Sequence, residues 1–191
     1  AVGDINRDGA NDVVLTDDQS KKLMYYMQDT TNGGFTSGSY STGVYPSGVD
    51  IGDIVYHNGN EVALFDKGNP YYYYYSDPTL RILEQSSGSL AQHSSYQLTS
   101  WNYDWYGYSN PFPLAVGDLN GDGTDDVAFC WYSYSGGSTY LSVYPQSSGD
   151  LCTRADYTNG VSSPRDMAIG DINADGKNVL LLTNSGENKF A

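Results

Sequence analysis

The segment Asp118-Leu119-Asn120-Gly121-Asp122-Gly123-Thr124-Asp125-Asp126 puts side-chain oxygens at its first, third, fifth and ninth positions and a glycine at its sixth. The same frame recurs as Asp4-Ile5-Asn6-Arg7-Asp8-Gly9-Ala10-Asn11-Asp12 and as Asp171-Ile172-Asn173-Ala174-Asp175-Gly176-Lys177. A hard cation such as Ca²⁺ collects six to eight oxygens, and carboxylates and amides closed by a glycine turn supply them. Three copies in one register exclude coincidence.

The flanks decide which calcium motif this is. An EF-hand loop continues to a glutamate at position twelve and lies between amphipathic helices. Here each loop follows a short apolar run (Ala1-Val2-Gly3, Leu114-Ala115-Val116-Gly117, Ala168-Ile169-Gly170) and leads into another (Val13-Val14-Leu15, Val127-Ala128-Phe129, Val179-Leu180-Leu181-Leu182). Short β-branched runs about a glycine turn predict a β-hairpin, with the cation in a strand-to-strand connection. A degenerate fourth copy opens at Asp53 and continues through Gly59-Asn60-Glu61-Val62, with Val55 and His57 at the second and third ligand positions. The loop-opening aspartates Asp4, Asp53, Asp118 and Asp171 stand 49, 65 and 53 residues apart. After each of the first three loops comes a strand, a Ser/Gly/Asn turn and a strand: Leu23 to Phe35, Leu80 to Leu90, and Leu141 to Leu151. Four strands in about 50 residues is the size of a propeller blade.

The runs Gly3 to Gly9 with Asp12-Val13, Gly117 to Gly123 with Asp126-Val127, and Gly170 to Gly176 resemble the FG-GAP or VCBS-type repeats of integrin α-subunit propellers, fungal propeller lectins and many bacterial surface proteins. The resemblance spans nearly the whole chain. It implies an all-β propeller of four-stranded blades with calcium-binding hairpin loops, in approximate units 1–43, 44–110, 111–162 and 163–191, the last partial. It departs from the pattern twice: the Asp53 unit has lost its ligands, and the Asp171 unit has Asn178-Val179 where the others carry an aspartate at position nine. Propellers close with about four to eight blades, so three and a half units predict further blades of the same chain or identical copies against the open faces.

The expected ligands follow. Asp4, Asn6, Asp8 and Asp12 with the Ala10 carbonyl hold one Ca²⁺; Asp118, Asn120, Asp122 and Asp126 with the Thr124 carbonyl hold a second. Asp171, Asn173, Asp175 and the Lys177 carbonyl hold a third, weaker ion with water replacing the missing carboxylate. The Asp53 loop is expected to hold none.

Composition bounds the setting. A formal net charge of -14, from 23 acidic and 9 basic residues, argues against nucleic acid and anionic membranes as partners. No apolar run approaches the roughly 20 residues of a membrane span. Millimolar calcium outside cells suits loops of moderate affinity, which resting cytosol would leave empty, so an extracellular or cell-surface location is expected. Asn-x-Ser/Thr is absent from the sequence, so N-glycosylation is not predicted. Cys130 and Cys152 admit two readings: small buried hydrophobes, or a disulfide in an oxidising compartment.

Tyrosine is the outlier, at 19 residues. Tyr71 to Tyr75 is expected to alternate faces as a strand. Trp101, Tyr103, Trp105, Tyr106 and Tyr108, in the long connection before Pro111 and Pro113, are either inter-blade packing or an exposed surface that stacks on sugars or anchors a protein. Catalysis has little support. There are two histidines, His57 in the degenerate loop and His93 in a polar stretch, and the carboxylates with recognisable spacing are committed to metal. The expectation is a non-enzymatic module for adhesion, recognition or surface structure, with a protein or carbohydrate ligand. The alternatives are a lectin-like propeller or the propeller of a polysaccharide-active enzyme.

Overall fold

The computed structural model describes residues 1–55, 59–67, 77–98, 112–133, 138–158, 163–184 and 189–190. Among them every regular element is a strand. Sheet 1 runs β1 (Val2–Gly3), β2 (Asp12–Asp17), β3 (Lys22–Gln28), β4 (Phe35–Ser41), and sheet 2 runs β5 (Pro46–Gly52), β6 (Glu61–Asp66), β7 (Thr79–Ser86), β8 (Ser89–Gln97). Sheet 3 contains β9 (Leu114–Gly117), β10 (Asp126–Ser133) and β11 (Ser138–Tyr144). Its fourth strand is β14 (Ala155–Thr158), reached through a separate ribbon of β12 (Gln146–Ser147) and β13 (Asp150–Leu151). Sheet 4 is β15 (Pro164–Gly170), β16 (Val179–Asn184) and β17 (Lys189–Phe190). Pairing is antiparallel throughout, and apart from the β11–β14 pair of sheet 3 each sheet is a meander of consecutive strands.

The ribbon corrects one expectation. Leu141 to Leu151 does contain a tight turn, with Ser148 and Gly149 at φ 58° and 90°, as Ser87 and Gly88 are at 53° and 84° between β7 and β8. Two consecutive left-handed residues match the right-handed twist of the flanking strands. Pro145, however, lacks the N–H that would continue the ladder. β11 therefore stops at Tyr144 and pairs with β14, while the turn closes only the short β12–β13 ribbon.

Strand period 2 then explains the burial. The first strands of successive sheets pack side by side: β1 and β2 against β5, β5 against β9, and β9 against β15. In sheet 2 both faces are covered, so Glu61-Val62-Ala63-Leu64-Phe65-Asp66 is buried without interruption. Val62 and Leu64 join Ile5, Val14, Leu23 and Tyr25 of sheet 1; Ala63 and Phe65 join Leu114, Val127 and Phe129 of sheet 3. The Phe65 and Phe129 rings stack with centroids 4.9 Å apart. Ala128 and Cys130, on the opposite face of β10, pack with Met167 and Leu182 of sheet 4.

One packing detail repeats at all three junctions. The residue before each Gly-Asp pair inserts into the glycine of the preceding sheet. A Cβ on Gly3 would come within 2.7 Å of Ile51 Cγ2, one on Gly52 within 2.3 Å of Val116 Cγ1, and one on Gly117 within 2.7 Å of Ile169 Cγ2. Only the absence of a side chain allows the strands so close.

Cys130 is buried, Cys152 is exposed, and no disulfide joins them. Of the two readings, the small-hydrophobe one describes Cys130. No helix among the described residues is long and apolar enough to cross a membrane.

Candidate metal-binding loops

The acidic loops link the first and second strands of each sheet: β1 to β2, β9 to β10, and β15 to β16. They share one backbone conformation. Position four has positive φ in each (Arg7 65°, Gly121 79°, Ala174 59°), and so does the glycine at six (Gly9 85°, Gly123 86°, Gly176 81°). These φ values turn successive N–H groups inward, onto the first aspartate. Asp4 Oδ1 accepts from the N–H of Arg7 at 2.7 Å and of Asp8 at 3.2 Å, and Asp4 Oδ2 accepts from Gly9 at 3.0 Å. Asp118 accepts from Gly121, Asp122 and Gly123 in the same way. Asp171 accepts from Asn173, Asp175 and Gly176.

The third and fifth positions close on the first. Asn6 Oδ1 accepts from Asp8 N, Asn120 Oδ1 from Asp122 N, and Asn173 Oδ1 from Asp175 N, at 2.8–3.1 Å. Asp8 and Asp175 each accept from the N–H of position seven, Ala10 and Lys177, while Asp122 accepts both the N–H and the hydroxyl of Thr124. The Thr124 hydroxyl, with its N–H, holds the Asp122 carboxyl below the ordinary range, and the N–H of Gly176 leads in lowering Asp171. Both stay ionised at neutral pH.

The ninth position behaves differently. Asp12 is fully buried, and its carboxylate clasps the loop to the sheet: Oδ2 accepts from Ile5 N at 3.0 Å and Oδ1 from Gln28 N at 2.9 Å. Asp126 repeats this with Leu119 N and Gln146 N at 3.1 and 2.9 Å, and burial raises its pKa against those two bonds. Glu61 holds the degenerate loop with one oxygen alone, its Oε2 accepting from Ile54 N and Val55 N at 3.0 and 2.9 Å. Burial raises Glu61 as well. The clasp had a sequence signal, an acid opening the second strand of sheets 1, 2 and 3, but for Asp12 and Asp126 the ligand reading absorbed it.

A latch at position eight escaped the sequence reading altogether. Asn60 Nδ2 donates to the Asp4 carbonyl at 3.0 Å, and Asn178 Nδ2 to the Asp118 carbonyl at 2.9 Å, each tying one loop to the loop of the preceding sheet. At the middle junction Asp125 takes the position and the polarity reverses, Asp53 N donating to Asp125 Oδ2 at 2.9 Å.

The donor set fits a hard divalent cation. Positions one, three and five of each loop bring only oxygens and one amide to one turn, and the clasping carboxylates keep a further lone pair on each oxygen. Asp4, Asn6 and Asp8, with Asp12 behind them, would hold one ion; Asp118, Asn120, Asp122 and Asp126 a second; Asp171, Asn173 and Asp175, without a clasp, a third. Bound cation would neutralise the crowded carboxylates. His57, Tyr71 to Tyr75, and Trp101, Tyr103, Trp105, Tyr106 and Tyr108 lie outside the described residues. His93 Nδ1 stands 3.7 Å from Glu84 Oε2 on sheet 2.

No protein-family model matches the chain, and no curated protein matches it. Its fold is similar to that of two solved structures. One is the Bacillus licheniformis rhamnogalacturonan lyase PL11, with TM-score 0.61 and 14% identity over 94% of this chain and 38% of that one. The other is the exotype rhamnogalacturonan lyase YesX, with TM-score 0.58 and 15% identity over 96% of this chain and 38% of that one. The chain thus spans 38% of the length of each, and at these identities the likeness is one of fold.

Proposed function

We propose that this chain is a segment of a calcium-stabilised β-propeller that works outside the cell as a non-enzymatic module for adhesion, recognition or surface structure. The observation that carries this reading is the set of three loops with the same left-handed turns and the same oxygen side chains at positions one, three and five. The side-by-side packing of β1, β5, β9 and β15 supports blades arranged about an axis, with first strands innermost. The formal charge of -14 supports a setting rich in divalent cation. Isothermal titration with Ca²⁺ tests the reading, with two strong sites and one weaker site expected. Asp118→Ala and Asp4→Ala should each remove a strong site and Asp53→Ala none. Full stoichiometry in the Asp4 and Asp118 variants would sink it.

The likeness to two rhamnogalacturonan lyases favours a second reading, in which the segment belongs to a protein that binds or cleaves a pectic polysaccharide. Its expected hallmark is affinity for rhamnogalacturonan, with release of an unsaturated, ultraviolet-absorbing product if a lyase centre is present. Affinity without product supports the lectin-like form; neither supports the adhesion or surface role.

A further inference from the structure

Asparagine is chemically labile, most of all before glycine, where no side chain shields the next main-chain nitrogen. Asn-Gly occurs four times in the sequence, and one copy, Asn120-Gly121, lies inside an acidic loop. Position four of the other two loops is Arg7 and Ala174. All three residues share the turn, with φ of 65° at Arg7, 79° at Gly121 and 59° at Ala174, so the turn does not require the glycine. Packing does not require it either, because a Cβ on Gly121 would meet nothing within 4 Å. What the glycine changes is the chemistry open to Asn120.

The hydrogen bonds around Asn120 are those that an intramolecular acyl transfer needs. Gly121 N–H donates to Asp118 Oδ1 at 2.6 Å, which sets a carboxylate where it can take the proton of the attacking nitrogen. Asn120 Oδ1 accepts the Asp122 N–H at 2.8 Å. That bond folds the amide back along its own main chain and stabilises the negative charge that the oxygen gains during attack. Asn120 and Gly121 are both exposed, so water reaches the site and ammonia can leave it. Asn32-Gly33, in the turn between β3 and β4, is a reference within the same chain. There Gly33 N donates to the Asp29 main-chain carbonyl at 2.8 Å, which is no base, and Asn32 Nδ2 is held by Asp29 Oδ2 at 2.6 Å. The asparagines of the other two pairs, Asn58 and Asn159, lie outside the described residues.

We propose that Asn120-Gly121 is a self-modification site, which reacts in the metal-free loop and is suppressed by a bound divalent cation. Gly121 N forms a bond to Asn120 Cγ, its proton passes by way of Asp118 to the departing amide nitrogen, and the Cγ–Nδ2 bond breaks to release ammonia and leave a cyclic imide. Water then opens the ring. Addition at Cγ restores the normal chain with aspartate at position 120, and addition at the Asn120 main-chain carbon leaves isoaspartate, with an extra methylene in the backbone. Aspartate keeps an oxygen at the third loop position; isoaspartate displaces it and lengthens the loop, so that product should lose the Asp118 site. Suppression, and suppression alone, rests on the calcium reading: a cation there would occupy the Asp118 oxygens and pin the Asn120 amide by its oxygen.

Peptide mapping by mass spectrometry, on chain incubated at neutral pH in chelator or in calcium, is the test. Deamidation adds about one dalton, and electron-transfer fragmentation separates isoaspartate from aspartate. In chelator Asn120 should convert about tenfold faster than Asn32, Asn6 or Asn173, a barrier difference of about 1.4 kcal/mol. Calcium should slow Asn120 by a similar factor and leave Asn32 unchanged. Gly121→Ala reproduces the turn at Ala174 and should slow Asn120 to the rate of Asn173, while Ala174→Gly should raise Asn173 toward the rate of Asn120. Circular dichroism checks that both variants fold, and the comparison of Asn120 with Asn32 within the wild-type chain needs neither. Conversion of Asn120 no faster than that of Asn32, or undiminished in Gly121→Ala, overturns the proposal. Equal rates in calcium and chelator overturn suppression if titration shows bound calcium. If titration shows none, the calcium reading fails, and faster conversion at Asn120 still upholds the modification site.

Discussion

The Asp53 and Asp118 loops join equivalent strands and each is held by a ninth-position carboxylate, yet their turns are filled by opposite chemistry. Glu61 and Asp126 each take two backbone N–H groups at the ninth position. In the Asp118 loop the third position is Asn120, exposed among carboxylates; in the Asp53 loop it is Val55, buried in the cluster with Leu114 and Val127. A ninth-position carboxylate is therefore common architecture, and the turn it holds is filled by polar oxygens in one loop and by apolar packing in the other. Losing the ligands at Asp53 did not lose the sheet, because sheet 2 is buried on both faces.

The largest expected effect separates the two loops by metal. A ligand that binds only the folded state contributes RT ln(1 + [L]/Kd), so two strong sites filled at 100 times Kd add about 5 kcal/mol. Differential scanning calorimetry in excess chelator should show the melting temperature falling accordingly, and an unchanged melt would mean that the acidic loops do not differ from the Asp53 loop in this respect.

Next is the clasp itself. Asp126→Ala orphans the N–H groups of Leu119 and Gln146, at about 2–4 kcal/mol for the two. Glu61→Ala should lose a similar amount through Ile54 and Val55. Urea melts in chelator isolate this loss from any metal contribution. If Asp126→Ala destabilises only when calcium is present, ligation rather than clasping is its role.

Sheet 2 should respond to pH where the other loops respond to metal. Asp66 ends the strand that Glu61 begins; it is fully buried, paired with Arg81 Nε, and its Oδ1 has no hydrogen-bond partner among the described residues. Burial raises its pKa to about 6, against the pull of Arg81. The folded state then holds a proton that the unfolded state has released between the ordinary aspartate value of 3.8 and about 6. Stability falls as pH rises through that window, by up to about 3 kcal/mol. Asp66→Asn should flatten this limb in the difference between variant and wild-type melts from pH 3.5 to 7. Parallel curves would show that Asp66 titrates alike in both states.

The smallest effect compares the loops that keep their ligands. Asp122→Ala should weaken calcium binding more than Asp175→Ala, because the Asp118 loop has the Asp126 carboxylate and the Asp171 loop has Val179 in its place. A difference of about tenfold in Kd, or roughly 1.4 kcal/mol, is expected by titration. Equal losses would mean that the ninth carboxylate serves the backbone alone.

Local chemistry was legible in the chain because the loops are local. Asp-x-Asn-x-Asp-Gly closes within nine residues, and the strand signals on either side act over two residues, so the hairpins, the repeat and the altered frame at Asp53 follow from order along the chain. The latch from Asn60 to Asp4, the insertion of Ile51 into Gly3 and the carboxylate bond between Asp125 and Asp53 join residues 48 to 72 positions apart. Their pairing depends on which sheet lies beside which. Pro145 likewise shows in sequence only as a missing donor; that β11 should turn to β14 follows from the three-dimensional reach of the chain. The backbone clasp at the ninth position is also a tertiary fact. An aspartate offers the same oxygens to a cation and to a backbone N–H, and only burial against Leu119 and Gln146 reveals that Asp126 serves the second.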